Sequence, residues 1–476
     1  MSECVSSGVE GLDEIIGGGF PRGSLILLAG NPGTGKTVFS AHFLVKGAES
    51  DEPGIYVSFA EDKGLLIKNI SNHLGCDLKL LEDEGKVRIL DLVAMKDIGI
   101  SAILDLILRE VRAAKAKRLV VDSFTAMAQA FKEPIDVRVF VHTILNRIVR
   151  QMGCTTLIIE EVPLGESKIS TGVEEFVADS VILLRAGEVG GLLLRELELV
   201  KVRGTRLAQR KLVYTLEGGF KAFPPFKPKL AMEPKRFQPI PDPPEKYSTG
   251  SGDLDEALGG GVPRGSLTLL DVNEKVTTLQ YHLFVASMAA NFVLQGRGLI
   301  DIPSSGVDPF MFYKYFSIYG GTEEDFNRYV RIIEAKSVSK LKPLPSVITM
   351  KGEDWREDLD KALKISSQLR VETGQPTLSI IGVDTLITLY GEERCEEILN
   401  LAAIWARRVD AAVIAIIKAG RKKLSKRLSA LADVYLHLTR ENGCLLLSNI
   451  KPGTALYAVE MDVSKGYPLP KLTPIV

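Results

Sequence analysis

Three groups of residues in this chain have the types and spacing of phosphate chemistry. Gly30-Asn31-Pro32-Gly33-Thr34-Gly35-Lys36-Thr37 is a complete G-x-x-x-x-G-K-[ST] loop, lying between an apolar run at 24–29 and a helical pattern from Val38. Glycines there let the backbone wrap a phosphate chain, and amides at the helix start, aided by its dipole, donate to phosphate oxygens. On this pattern Lys36 reaches the β- and γ-phosphates of a nucleotide, and the Thr37 hydroxyl ligates Mg²⁺. Asp122 ends the apolar run Arg118-Leu119-Val120-Val121, the place of the second carboxylate of such a metal site. Read alone, Asp122 would be a helix cap shared with Ser123. Glu61 follows the run 55–59 and is expected at the same sheet edge as Lys36 and Asp122. A carboxylate there can orient or deprotonate the water that attacks a γ-phosphate. Position alone leaves Asp62, or a plain solvated turn, as open as Glu61.

The elements that must position these residues alternate. Apolar runs at 24–29, 55–59, 118–122 and 155–159 are separated by helical patterns at 38–49, 103–114 and 138–152. Continuous apolar strands between helices imply a parallel sheet covered on both faces, with ligands at the carboxyl ends of its strands. The pattern then repeats. Gly8 to Ser24, with Gly17-Gly18-Gly19-Phe20-Pro21-Arg22-Gly23-Ser24, aligns without a gap on Gly250 to Ser266, with Gly259-Gly260-Gly261-Val262-Pro263-Arg264-Gly265-Ser266. A repeat of this length predicts two copies of one fold. Between them, 224–244 is too proline-rich for helix or central strand and reads as a stiff linker. The expected organisation is therefore a first domain over 1–225, a linker over 226–246 and a second domain over 247–476.

Composition excludes several classes. The 476 residues carry 59 Lys+Arg against 60 Asp+Glu, a formal charge of −1, which removes the simplest argument for a nucleic-acid or membrane partner. Five cysteines without a CxxC pair give neither a disulfide framework nor a zinc pattern, and a reducing, cytoplasmic setting is expected. The most membrane-like stretch, 283–294, is far shorter than the ~20 residues that span a bilayer.

The order of motifs in the first half resembles the KaiC-like ATPases of the RecA superfamily. The resemblance rests on Gly17 to Gly23, the loop Gly30 to Thr37, Asp51-Glu52-Pro53-Gly54, Asp122-Ser123, the segment Gly172 to Asp179 and Lys201-Val202-Arg203-Gly204-Thr205. It implies an α/β fold: two tandem RecA-like P-loop NTPase domains, each a mainly parallel twisted sheet covered by helices. It further implies ATP as ligand, Mg²⁺ as cofactor, and a hexameric ring with nucleotide between subunits. In such rings the Lys-x-Arg-Gly segment enters the neighbour's site, which makes Lys201 and Arg203 trans-acting fingers. Where the family carries Glu-Glu after the second strand, this chain has Ala60-Glu61, so the single acid Glu61 inherits the catalytic place. Glu160 departs from the family pattern and receives no role.

The second half keeps the fold signals and loses the chemistry. At the offset set by the repeat, the loop becomes Val272-Asn273-Glu274-Lys275-Val276-Thr277-Thr278-Leu279, without a glycine, and Ser304-Ser305 stands against Ala60-Glu61. Asp384 persists, but a carboxylate without its loop makes no nucleotide site. This lobe is expected to be a pseudo-ATPase, and an autokinase acting there is not expected. The leading expectation is slow Mg²⁺-dependent ATP hydrolysis in the first domain, its nucleotide state regulating assembly or a protein partner. The alternatives are a RecA/RadA-like single-stranded DNA-binding protein, kept open by Arg203, Arg206, Arg210 and Lys211, and a scaffold that ATP stabilises without turnover.

Overall fold

The computed structural model describes residues 3–93, 99–130, 134–163, 177–335, 345–418 and 420–476. The chain divides into two compact units: Met1–Pro225 with Asn442–Cys444 and Pro474–Val476, and Phe226–Glu441 with Leu445–Thr473.

In the first unit, short strands β1 (Cys4–Val5) and β2 (Phe20–Pro21) pair at the entrance to a large sheet. That sheet is built from β3 (Leu25–Gly30), β4 (Gly54–Ser58), β5 (Val87–Asp91), β6 (Arg118–Asp122), β7 (Thr155–Glu161), β8 (Ser180–Val189), β9 (Leu192–Val202), β10 (Lys211–Thr215) and β11 (Lys221–Phe223). Its order is β11-β10-β9-β8-β3-β7-β6-β4-β5, parallel from β8 through β5 and antiparallel beyond β8. The central strands are buried and mostly apolar because both faces are covered. Leu28, Tyr56, Val120 and Leu157 join the core on one face; Leu27, Ile55, Val121 and Ile158 join the other. Helix α1 (Lys36–Glu49) buries Phe39, Phe43 and Leu44 in the first of these cores, which fixes its start above the end of β3.

The second unit repeats the plan. Strands β12 (Lys246–Tyr247) and β13 (Val262–Pro263) pair as β1 and β2 do. The sheet comprises β14 (Leu267–Val272), β15 (Leu299–Ile302), β16 (Val330–Ala335), β17 (Val347–Met350), β18 (Leu378–Gly382), β19 (Ala412–Lys418), β20 (Val434–Glu441), β21 (Cys444–Lys451), β22 (Ala455–Asp462) and β23 (Leu469–Pro474). Its order is β17-β16-β15-β18-β19-β14-β20-β21-β22-β23. The α/β class and the two mainly parallel sheets expected from the sequence are thus present. In both units an aspartate takes the N–H of the first residue of the central strand: Asp179 from Leu25 at 3.0 Å, and Asp433 from Leu267 at 2.9 Å.

The proline-rich segment forms no helix or strand and lies on the second unit. Phe237 is buried against Tyr319 and Tyr467, and the Ile240 N–H donates to Asn291 Oδ1 at 2.8 Å. The cysteines form no disulfide among the described residues. Among the described residues no helix is long and apolar enough to cross a membrane.

Candidate functional site

The loop 30–37 leaves the carboxyl end of β3 and turns into α1. Two of its glycines are dictated by space and backbone. A Cβ on Gly30 would lie 2.7 Å from the Leu184 carbonyl oxygen, and Gly35 caps α1 in the left-handed region at φ +88° with Leu216 2.6 Å from where its Cβ would be. Gly35 gives α1 no side-chain cap, and the first turn holds no acid, which leaves the amides at this helix start available to an anion. The loop backbone is held from outside. Tyr214 Oη donates to the Thr34 carbonyl at 2.7 Å, Arg195 Nη1 to the Gly33 carbonyl at 3.0 Å, and Asn31 Nδ2 to the Val162 carbonyl at 3.1 Å. Pro32 and Gly33 are exposed at its crest, while Thr34 is buried.

Lys36 is buried, and its ammonium donates to the carbonyls of Gly30 and Asn31, each at 2.9 Å. Burial pulls its pKa down, with the charges of Glu161 and Asp122 acting against that shift. On the next residue, Thr37 Oγ1 donates to Asp122 Oδ2 at 3.3 Å, joining residues that lie 85 positions apart. Tyr56 Oη, on the neighbouring strand β4, donates to the same carboxylate oxygen. Burial raises the Asp122 pKa, opposed by the hydrogen bonds from Tyr56 and Thr37 and by the Lys36 charge; burial and that carboxylate hold the Tyr56 phenol well above its ordinary value. The oxygen pair Thr37/Asp122 is a hard donor set next to the loop 30–37, the kind Mg²⁺ takes.

Glu61 follows β4, its backbone latched to Ser58 Oγ, which accepts from the Glu61 N–H at 3.2 Å. Its carboxylate is half-buried, 3.5 Å from Asn69 Nδ2, and near enough to Asp122 and Tyr56 to act on both electrostatically. Gly30 to Thr37, Glu61 and Asp122 therefore share one sheet edge. Lys201 and Arg203 do not join them. Lys201 Nζ donates to the Ala178 carbonyl at 2.7 Å and Arg203 pairs with Asp179 at 3.0 Å, at the opposite end of β3. Of the motif 172–179, residues up to 176 lie outside the described residues.

Tyr56, Arg195, Tyr214 and Glu161 escaped the sequence reading. Tyr56 alone left a signal, a phenol in an otherwise apolar buried strand, whose hydroxyl needs a partner. The strand ladders also revise the second half. Leu267 pairs Val413, Leu378 pairs both Ala412 and Leu299, and this chain of partners parallels Leu25–Thr156, Arg118–Thr155 and Gly54–Arg118. Asp301 consequently stands where Tyr56 stands, and Gly382 where Asp122 does. Asp384 lies beyond the strand in the helix Val383–Tyr390, with Oδ2 accepting the Ser305 N–H at 2.9 Å, and Ser305 matches Ala60 rather than Glu61.

The KaiC ATPase family matches residues 5–220. The circadian clock oscillator protein KaiC of Thermostichus vulcanus is 34% identical over 270 residues, which are 55% of this chain and 50% of that one. The KaiC of Synechococcus elongatus is 34% identical over 294 residues, 60% and 55% of the two chains. A solved KaiC-like protein of Pyrococcus horikoshii is 37% identical, covering 47% of this chain and all of its own, with a TM-score of 0.43. This chain spans about half the length of the curated relatives it matches.

Proposed function

Because residues 5–220 form an ATPase domain of the KaiC family, we propose that the first unit binds ATP with Mg²⁺ and hydrolyses it slowly in a cytoplasmic hexameric ring. The nucleotide state in turn regulates assembly or a protein partner. One observation carries this reading: Thr37 and Asp122 meet at 3.3 Å beside the buried Lys36, at a helix start that has no side-chain cap.

The loop amides and Lys36 hold the phosphate oxygens, and Gly30, Asn31, Pro32, Gly33, Thr34 and Gly35 shape the cradle. Thr37 and Asp122 would hold the metal ion, which would supply charge neutralisation for the phosphoryl group being transferred. Glu61 orients the attacking water and accepts its proton as the γ-phosphoryl group passes to the water oxygen and ADP leaves. Lys201 and Arg203, remote from their own loop, serve the neighbouring subunit's γ-phosphate and stabilise the charge that develops there. The second unit is a pseudo-ATPase: Gly382 in place of Asp122 and Thr278 in place of Lys36 leave neither the metal carboxylate nor the phosphate lysine.

Calorimetric titration with Mg-ATP tests this directly. The expected stoichiometry is one ATP per chain, abolished by Lys36→Ala. Absence of binding, or hydrolysis unchanged by Lys36→Ala, overturns the reading. Binding without turnover in the wild type selects the scaffold alternative.

A further inference from the structure

The helix Lys422–Leu431 of the second unit opens at the carboxyl end of β19. Its inner side is clamped. Leu424, Ser425 and Leu428 are buried, Ser425 Oγ donates to Asp271 on β14, and Lys451 Nζ donates to the carbonyls of Ser429 and Ala432 at 2.6 and 3.2 Å. Its outer side is cationic, with Lys422, Lys423, Lys426 and Arg427 all exposed. Arg421 and Arg427 are held by Glu392 and Glu396 at 2.7 and 2.9 Å, whereas Lys422, Lys423 and Lys426 enter no ion pair among the described residues.

Folding alone does not account for this charge. From 411 to 432 the sequence contains no acid, the helix has no side-chain N-cap, and its first turn carries no acidic residue. Cations at a helix start oppose the macrodipole, and the like-charged neighbours Lys422/Lys426 and Lys423/Arg427 repel at i,i+4 spacing. An anion set against this face reverses both penalties.

We propose that this face binds the phosphate backbone of double-stranded DNA without reading its sequence. Lys422, Lys423 and Lys426 present three cations over about 6 Å of rigid helix, which suits a duplex carrying a charge about every 1.7 Å. The helix carries no aromatic residue, so it lacks the stacking platform that single strands use. It also exposes no large apolar side chain to form the centre of a protein interface. This inference is independent of the nucleotide reading, since none of these residues belongs to the first unit.

Fluorescence anisotropy with a short labelled duplex is the test, using the full chain. Three lysine contacts give a salt slope of about −2.7, hence roughly a 40-fold loss of affinity between about 50 and 200 mM salt. The triple change Lys422→Gln, Lys423→Gln and Lys426→Gln should remove most binding at the lower salt, and Lys→Arg at the same positions should retain it. Unchanged tryptophan fluorescence in both triple variants checks that the fold persists. No duplex binding by the wild type, an unchanged salt slope in the Gln variant, or equal competition by single-stranded DNA or polyglutamate at matched charge overturns the proposal.

Discussion

Replacing Asp301 by Asn should abolish a pH dependence built into the second unit. Asp301 sits on β15 at 2% exposure, its Oδ2 has no hydrogen-bond partner among the described residues, and burial pushes its carboxyl from 3.8 up to about 8. The folded unit therefore holds this proton more tightly than the unfolded chain does. The stabilisation is full below about pH 4 and is lost as pH rises through the folded value near 8, because between the two the unfolded state binds fewer protons. At about 1.4 kcal/mol per pH unit, the wild type should lose roughly 4 kcal/mol between pH 5 and 8 from this group. Asn keeps the size and cannot ionise, so Asp301→Asn should be the more stable protein at pH 8, with its advantage shrinking as pH falls and the two nearly equal only near pH 4. Both tryptophans, Trp355 and Trp405, lie in the second unit, so urea titrations followed by their fluorescence report on this unit alone. The difference between the two proteins at each pH isolates the one group, since every other titrating residue is shared. Parallel stability–pH curves, or a variant weaker than wild type at pH 8, would refute the assigned burial cost.

Gly35→Ala should lower the stability of the first unit by about 1–3 kcal/mol, because φ is +88° and Leu216 blocks the new Cβ; a thermal scan, with and without Mg-ATP, reads both this loss and the loss of nucleotide protection. Tyr56→Phe removes one of the two hydroxyls donating to Asp122, and should cost about 1.5–3 kcal/mol of stability by chemical denaturation followed by circular dichroism. Arg203→Ala should reduce ATP turnover by roughly a thousandfold or more with little change in ATP affinity. Mixing it with Lys36→Ala subunits should restore part of the activity if the finger acts in trans, and no recovery would place its effect within its own subunit.

The loop 30–37 and Asp122 were legible because each is fixed by local chemistry: glycines where the backbone turns, a lysine and a hydroxyl opening a helix, a carboxylate ending an apolar strand. What escaped depends on partners far apart in sequence. Tyr56 reaches Asp122 only because β4 and β6 are ladder neighbours. The same dependence misplaced Asp384. The repeat aligned the two halves through the loop, but strand pairing sets the match beyond it, and pairing gives Gly382 the place of the carboxylate. The overall charge of −1 likewise concealed six cations between Lys418 and Arg427, since a sum over 476 residues carries no information about where the charges lie.

Comparing the two units also separates Lys201 from Arg203, which the family resemblance joins. Lys201 donates to the Ala178 carbonyl, and Lys451 donates in the same way to the Ala432 carbonyl; each alanine precedes the aspartate that takes the first N–H of the central strand. The second unit keeps this lysine although its loop has no glycine, no phosphate lysine and no metal carboxylate. A contact that persists in a unit whose loop lacks these groups is one the fold itself uses, so Lys201 anchors the strand edge whatever else it does. Arg203 has no such counterpart. Gly453 stands in the corresponding place, while the Arg203 side chain is 54% exposed and, among the described residues, tied only through a surface pair to Asp179, which solvent screens to a small value. Releasing Arg203 toward another subunit thus costs little, whereas moving Lys201 breaks an anchor. On the proposed function, Arg203 is the residue of the two whose presence would follow the nucleotide site rather than the sheet.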